Sequence, residues 1–309
     1  MQKKFWANKR VLITGASGFV GSHLLAHLSE LGARVTGISR RPSPLKNIVV
    51  ADVQEKSQLL KIFEKVQPDV CFHLASDALV EKGQKSPYET FRNNIVGSLN
   101  ILDIARTTNV RRIVIASTVH VYGDAPRPYH EHEPARPSRP YETSKTCVDL
   151  IAQSYADTYR LPVLIARFAN IYGPGDANET RIIPKTITSL LRGEKPTLWG
   201  GSATRDYLYI DDAIRAYDLL GSLSDKKMQR NRVYNFATGK LVTARQLIGM
   251  IIRIMGRSAE ITRVRNGREQ EIIRQEVDWS KAKALLSWAP KVSLADGLQK
   301  TIAWYSTLQ

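Results

Sequence analysis

One stretch of seven residues, Gly15-Ala16-Ser17-Gly18-Phe19-Val20-Gly21, constrains this chain more than any other. It follows a β-branched run over 10–14 and leads into a segment where Phe19, Val20, Leu24, Leu28 and Leu31 recur at helical spacing, with Gly32 as a C-terminal cap. Glycines lack the Cβ that would stop a backbone from turning tightly and approaching a pyrophosphate. The negative charge of such a group is stabilised at the positive end of the next helix. Strand, glycine turn and helix in this order predict a dinucleotide site touched by Gly15, Ser17, Gly18, Phe19, Val20 and Gly21. A glycine-rich turn with no ligand is the plainer reading, and the flanking strand and helix argue against it.

The first half of the chain repeats this grammar. Runs over 34–38, 48–50, 70–74, 112–117 and 163–167 read as strands between amphipathic stretches, the pattern of strand-helix units laid into a parallel sheet. At Tyr172 the texture changes: Gly173-Pro174-Gly175 opens a turn-rich region of shorter pieces, and a run over 233–237 reads as a strand returning to the sheet. The expected fold is therefore α/β, a Rossmann-type doubly wound parallel sheet with a smaller, mixed C-terminal substrate-binding lobe. Residues 1–171, with a returning segment at about 205–237, make the dinucleotide-binding domain; 172–204 and 238–309 make the substrate-binding lobe.

The residues just past the second strand bear on the cofactor. About 20 residues beyond such a turn, a preference for NAD usually shows as Asp or Glu against the ribose hydroxyls, whereas Arg accommodates a 2′-phosphate. Ser39-Arg40-Arg41 stand here without a carboxylate, so NADP is expected over NAD. The alternative is NAD, with both arginines as solvated loop charges.

Charge points the same way as the turn. A net +16, from 45 Lys+Arg against 29 Asp+Glu, calls for anionic partners. The cations are scattered as pairs (Lys3-Lys4, Arg40-Arg41, Arg111-Arg112, Lys226-Lys227) without the long run or aromatic interleaving of a nucleic-acid patch, so small phosphorylated ligands are expected and nucleic acid is not. Cys71 and Cys147 supply neither a disulfide framework nor metal-ligand spacing; no metal is expected, and a reducing cytoplasm fits. No segment reaches the roughly 18 unbroken apolar residues of a membrane span, and Gly, Ser and His interrupt the one stretch, near the start, that resembles a signal peptide.

Tyr141-Glu142-Thr143-Ser144-Lys145 places a phenol and an ammonium four residues apart, on one face of any helix formed there. A tyrosine of ordinary pKa is a poor base near neutrality, and a close cation favours its phenolate, which suits general acid/base work. A surface helix pair is the bland reading of this spacing. Ser117 and Thr118 end a predicted strand, within reach of a reacting oxygen.

Further residues accompany these in order: Asp52-Val53, His73-Leu74-Ala75, Asn94 with Gly97, Tyr122-Gly123, the run from Arg167 to Pro174, Arg205-Asp206-Tyr207 before Asp211-Asp212, and Trp288 with Pro290. On these residues, over nearly its whole length, the chain resembles the extended short-chain dehydrogenase/reductase family, in the nucleotide-sugar epimerase/dehydratase branch. The resemblance implies that Tyr141 takes the sugar hydroxyl proton as a hydride passes to the nicotinamide, and that Lys145 holds the nicotinamide ribose. It places Thr118 beside the sugar oxygen, Asp52 and Val53 beside the adenine, and Leu74, Ala75 and Asn94 along the cofactor. It puts Asn170, Arg205 and Arg265 on the diphosphate of a nucleotide-diphosphate sugar, a task that suits arginine forks, and Trp199 against its base. A homodimer is also implied.

In that family the 4,6-dehydratases carry acidic help directly after the Ser/Thr position. Val119 and His120 stand there; valine transfers no proton, and a lone histidine is read as structural, although an imidazole titrates near neutrality. An epimerase is the leading expectation, on the run from Asn170 to Gly175, and an NADPH-dependent 4-keto-sugar-nucleotide reductase the alternative, on Arg40-Arg41. Two non-catalytic readings are an NADP-binding sensor or scaffold and an RNA-binding basic surface, the latter demanding affinity that collapses with salt.

Overall fold

The computed structural model describes residues 2–200, 202–228, 231–264 and 272–308, with the backbone alone for Gln2, Trp199, Lys226, Lys227 and Val264. Seven strands, β1 (Arg10–Thr14), β2 (Arg34–Ser39), β3 (Ile48–Val50), β4 (Val70–His73), β5 (Arg112–Thr118), β6 (Val163–Phe168) and, later in the chain, β10 (Val233–Phe236), form one parallel sheet. Its order is β10-β6-β5-β4-β1-β2-β3. The chain runs outward from β1 to β3, then crosses back to place β4 on the other side of β1. The order thus reverses between β1 and β4, and the crevice beyond their C-terminal ends is where such sheets bind ligands.

Alternation along the strands explains why helices cover both faces. In β1, Val11 and Ile13 enter one apolar cluster and Leu12 enters another, as the period of two requires. The helices Phe19–Glu30 and Ile210–Gly221 pack on the first face, with Leu24, Leu28, Tyr217 and Leu220; Lys56–Val66, Gly97–Thr107 and Pro140–Tyr159 cover the second, with Phe63, Ile101 and Val148. At the N-terminus the helix Gln2–Trp6 presses a fully buried Trp6 against Phe72, and its indole N–H donates to Asp218 at 2.6 Å.

Among the described residues, five further strands complete the fold. β7 (Asn170–Tyr172) pairs parallel with β9 (Thr204–Tyr209), which pairs antiparallel with β11 (Leu241–Thr243); β8 (Thr197–Trp199) pairs parallel with β12 (Thr262–Val264). Within the segment 205–237, then, the helix Ile210–Gly221 and β10 return to the large sheet, while the remainder of β9 lies in the three-stranded one. The first apolar cluster continues unbroken through Ile183, Ile187, Leu247, Ile251, Leu298 and Ile302, so both regions share a core.

Candidate active site

The turn after β1 is shaped by contact as much as by torsion. Gly15 has φ +70°, and a Cβ there would lie 2.8 Å from the Ala75 nitrogen; a Cβ on Gly21 would lie 2.2 Å from the Gly15 oxygen. No side chain caps the helix Phe19–Glu30 at Gly18, which leaves first-turn N–H groups open to an anion. An uncapped N-terminus behind a cradle that a Cβ would fill fits a dinucleotide pyrophosphate. Ser17 and Ser39 meet across the turn at 2.7 Å. Because Ser39 Oγ donates to the Arg41 oxygen, Ser17 donates to Ser39. Arg40 leans toward the buried Asp77, 3.8 Å away, whereas the exposed Arg41 side chain has no hydrogen-bond or ion-pair partner among the described residues.

A buried polar chain holds the loop after β4 under this turn. Ala75 N donates to Thr14 Oγ1, so the Thr14 hydroxyl donates to His73 Nδ1 at 2.7 Å. His73 Nε2–H donates to Ser98 Oγ, which donates to the Asn94 oxygen. Burial, with Lys145 nearby, pushes the His73 pKa down to about 3, consistent with this neutral tautomer. Leu74 and Ala75 remain partly exposed at the crevice. Asp52 accepts from Gln54 N in the loop after β3, and Val53 is buried.

Asn94, expected along the cofactor, is tied into the loop after β4. It lies in a π-helical turn, Arg92–Val96; its side-chain oxygen accepts from Asp77 N and Asn93, and its amide donates to the Asp77 oxygen and Ser144 Oγ. With both donors and the acceptor engaged, its side chain braces the post-β4 loop against the helix Pro140–Tyr159.

Thr118 ends β5 and Tyr141 opens the helix Pro140–Tyr159, so the fold brings the two hydroxyls into hydrogen-bonding contact, both nearly buried. Lys145 lies one turn along the same helix, 5% exposed, and donates to the Ala116 oxygen at 2.7 Å. Burial lowers its pKa to about 8, against the pull of Asp149. Burial raises the Tyr141 pKa; its contact with Thr118 and the charge of Arg181 oppose the rise, and Lys145, turned onto a carbonyl, is not among the groups that lower it.

Sequence reasoning missed Glu142 and Gln275. Glu142 is fully buried beside the tyrosine, with Oε1 3.6 Å from His120 Nδ1; Gln275 reaches the same nitrogen at 3.3 Å, and the imidazole stands edge-on to the Tyr141 ring at 6.2 Å. Burial raises the Glu142 pKa, but His120, Ser138 N–H and Arg139 outweigh it and hold the carboxyl below its usual range. The histidine read as structural thus lies against the tyrosine with a carboxylate behind it. The available signal was a charged residue directly after Tyr141 on a helix whose opening is buried.

Behind the site, Arg167 grips Asp149 with two bonds, 2.8 and 3.0 Å, and donates to the Tyr122 hydroxyl, which donates to Asn235. Ser117 donates to the same Asp149. On the three-stranded sheet Asn170 and Arg205 sit on adjacent strands, Asn170 donating to the Asp206 oxygen and Arg205 to that of Thr204. Trp199 ends β8 in register with Val264 of β12. Arg265, the next residue and an expected diphosphate contact, lies outside the described residues.

The model of the "NAD dependent epimerase/dehydratase family" matches residues 11–237, well over half of the chain. The chain belongs to this family. Among its relatives are a dTDP-glucose 4,6-dehydratase of Streptomyces antibioticus, 30% identical with 96% of this chain and 92% of that protein covered, and a UDP-glucuronate 4-epimerase of Thermodesulfobacterium geofontis, 28% identical with 95% of each covered. The crystal structure of a Thermotoga maritima UDP-glucose 4-epimerase with UDP-glucose superposes with a TM-score of 0.91 at 31% identity, over 97% of this chain and 99% of that one. The family resemblance read from the motifs and the Rossmann-type sheet both hold, and nucleotide-sugar epimerases and dehydratases alike are represented among the family members similar to this chain.

Proposed function

We propose that this family member is a nucleotide-sugar 4-epimerase. The reading is carried by the Tyr141–Thr118 hydroxyl pair at the switch-point end of the sheet, with a buried Lys145 one turn away and Val119, which transfers no proton, where dehydratases carry an acid. Thr118 orients the sugar hydroxyl, and Tyr141 accepts its proton as the carbon loses hydride. Loss of that proton from sugar to phenol requires the phenolate, which burial alone disfavours. Lys145 favours it when turned from the Ala116 carbonyl toward the ribose and the tyrosine. The dinucleotide, bound at the Gly15 turn, supplies hydride acceptance and return. Return to the opposite face of the transient ketone inverts the centre.

Asn170, Arg205, Arg265 and Trp199 are the proposed grip on the diphosphate and base, and 172–204 with 238–309 the substrate-binding lobe. For the cofactor, Arg41 and the absence of a carboxylate after β2 favour NADP over NAD; competitive titration of NADPH against NADH, with Arg41→Ala narrowing the preference, tests this. The same arginine favours a 4-keto reductase as the second reading. Leu99, Leu150 and Tyr159, exposed on the helices Gly97–Thr107 and Pro140–Tyr159, support pairing of two copies into a homodimer, to be checked by light scattering. Two free thiols suit a reducing cytoplasm.

A panel of nucleotide-diphosphate sugars, with and without NADPH, tests the activity. An isobaric product without net loss of the nicotinamide band is expected. Stoichiometric NADPH loss would establish the reductase instead, and loss of water the dehydratase.

A further inference from the structure

A second concavity opens at the opposite edge of the seven-stranded sheet. About 930 Å3 in volume, it lies where β4, β5, β6 and β10 begin, bounded by Val70, Arg112, Val163 and Arg232. Parallel strands put all their N-terminal ends on one edge, so this cavity lies at the other end of the strands from the Gly15 turn and shares no lining residue with it.

Its charge is unevenly committed. Each of its three carboxylates already has a cation: Asp69 pairs with Arg10 at 3.3 Å, Asp225 with Arg112 at 2.6 Å, and Asp157 with Arg232. The side chains of Arg111 and Arg160, on the same wall, make no hydrogen bond or ion pair to any described residue. Arg160 occupies the left-handed C-cap of the helix Pro140–Tyr159, φ +53°, a position where glycine is the usual residue, yet it keeps a long cationic side chain.

Arg112 adds a buried positive charge beneath them. It is 5% exposed, and its Nη atoms are satisfied by the Gly221 oxygen and Asp225; its Nε–H, sealed from solvent, has no acceptor among the described residues. Burial depresses its pKa, against the help of Asp225, a carboxylate that itself stands 79% exposed in water. Buried guanidinium groups are normally bonded through all their N–H groups. A buried guanidinium beneath Arg111 and Arg160, neither with a partner among the described residues, gives this wall an excess of positive charge that suits an anion. The volume, within the roughly 300–1,000 Å3 of small-molecule sites, calls for more than a bare ion, and Phe5, Leu161, Pro162 and Met228 give it an apolar side.

We propose that this edge of the sheet is a second ligand site, for an organic phosphate of nucleoside-monophosphate size. Arg111 and Arg160 clamp the phosphate above Arg112, and the organic body rests on the apolar side beside Phe5. Arginine forks match phosphate oxygens in pairs, which makes the phosphate the anchor and the base the lesser contact. The site stands apart from the proposed epimerase chemistry and does not rest on it.

Calorimetric titration of 5′-AMP into the full chain, held in excess NAD and UDP to fill the other end, tests this. One equivalent is expected to bind, adenosine is expected to give no heat, and Arg111→Gln/Arg160→Gln, a pair of exposed substitutions, is expected to weaken AMP at least tenfold with an unchanged thermal melt. The proposal is overturned if the saturated chain takes up no AMP, if adenosine binds as well as AMP, or if the double variant binds AMP like the parent. Because the decisive comparison is between parent and variant, it holds whatever the opposite end accepts.

Discussion

Tyr141 and Lys145 share a helix face, yet each has its pKa set chiefly by burial. Replacing Tyr141 with Phe keeps the ring in its pocket and removes the proton acceptor, so turnover is expected to fall about 10²–10⁴-fold, with the melting temperature nearly unchanged; steady-state rates and a thermal melt check both halves. Lys145 carries a stability signature of its own. Its folded pKa is about 8, against 10.5 for the free group. Between those values the unfolded chain binds more protons than the folded one, so stability rises with pH across the window and the penalty is fully present below about pH 8. The cofactor-free protein should gain up to about 3 kcal/mol relative to Lys145→Met between pH 8 and 10.5, read from urea unfolding at each pH. Neither the depressed lysine nor the Glu142–His120 contact was legible in the sequence, because spacing shows which residues are neighbours on a helix and says nothing of what is packed over them.

Strands and helices were more readable. Each strand of the large sheet lies within one residue of its expected span, since parallel strands buried between helices read as near-continuous apolar runs, and the exposed edge strand β3 is itself an unbroken β-branched one. The three-residue strands β7, β8, β11 and β12 escaped, being too short to show a period, and the π-helical turn at Arg92–Val96 escaped because its side chains look helical either way. The Asn94 brace went with it. Among elements, a buried ion pair ties Arg167 of β6 to Asp149 of the helix Pro140–Tyr159. Arg167→Met would take the guanidinium from the buried Asp149 carboxylate, leaving it, among the described residues, only the Ser117 hydroxyl and the Gln153 amide, and a loss of about 3–5 kcal/mol is expected by denaturant unfolding. Asp149→Leu added to it should recover part of that loss.

At the level of the molecule, the large sheet and the short-strand region share one apolar cluster. A single cooperative unfolding transition is therefore expected in calorimetry, without a separate step for the C-terminal region. Ligand bound at the Gly15 turn should shift that whole transition upward, by about 2.7 kcal/mol of stability at a hundredfold excess over its Kd. Two transitions, with the cofactor moving one of them, would show that the shared core does not couple the regions. The fold as a whole was legible because one glycine turn, placed between a strand and a helix, leaves few topologies to choose from. The opposite sheet edge was not: its cations come from four separate stretches of chain, and only folding gathers them.

Trp6 has a practical side. The chain's opening residues look expendable, a basic and poorly patterned lead-in of the sort often trimmed to help crystals grow. Removing them would uncork an indole-sized hole over Phe72 and leave the Asp218 carboxylate, among the described residues, with only the His27 side chain, 3.0 Å away, for a partner. Shortened versions should come out of the cell largely as inclusion bodies.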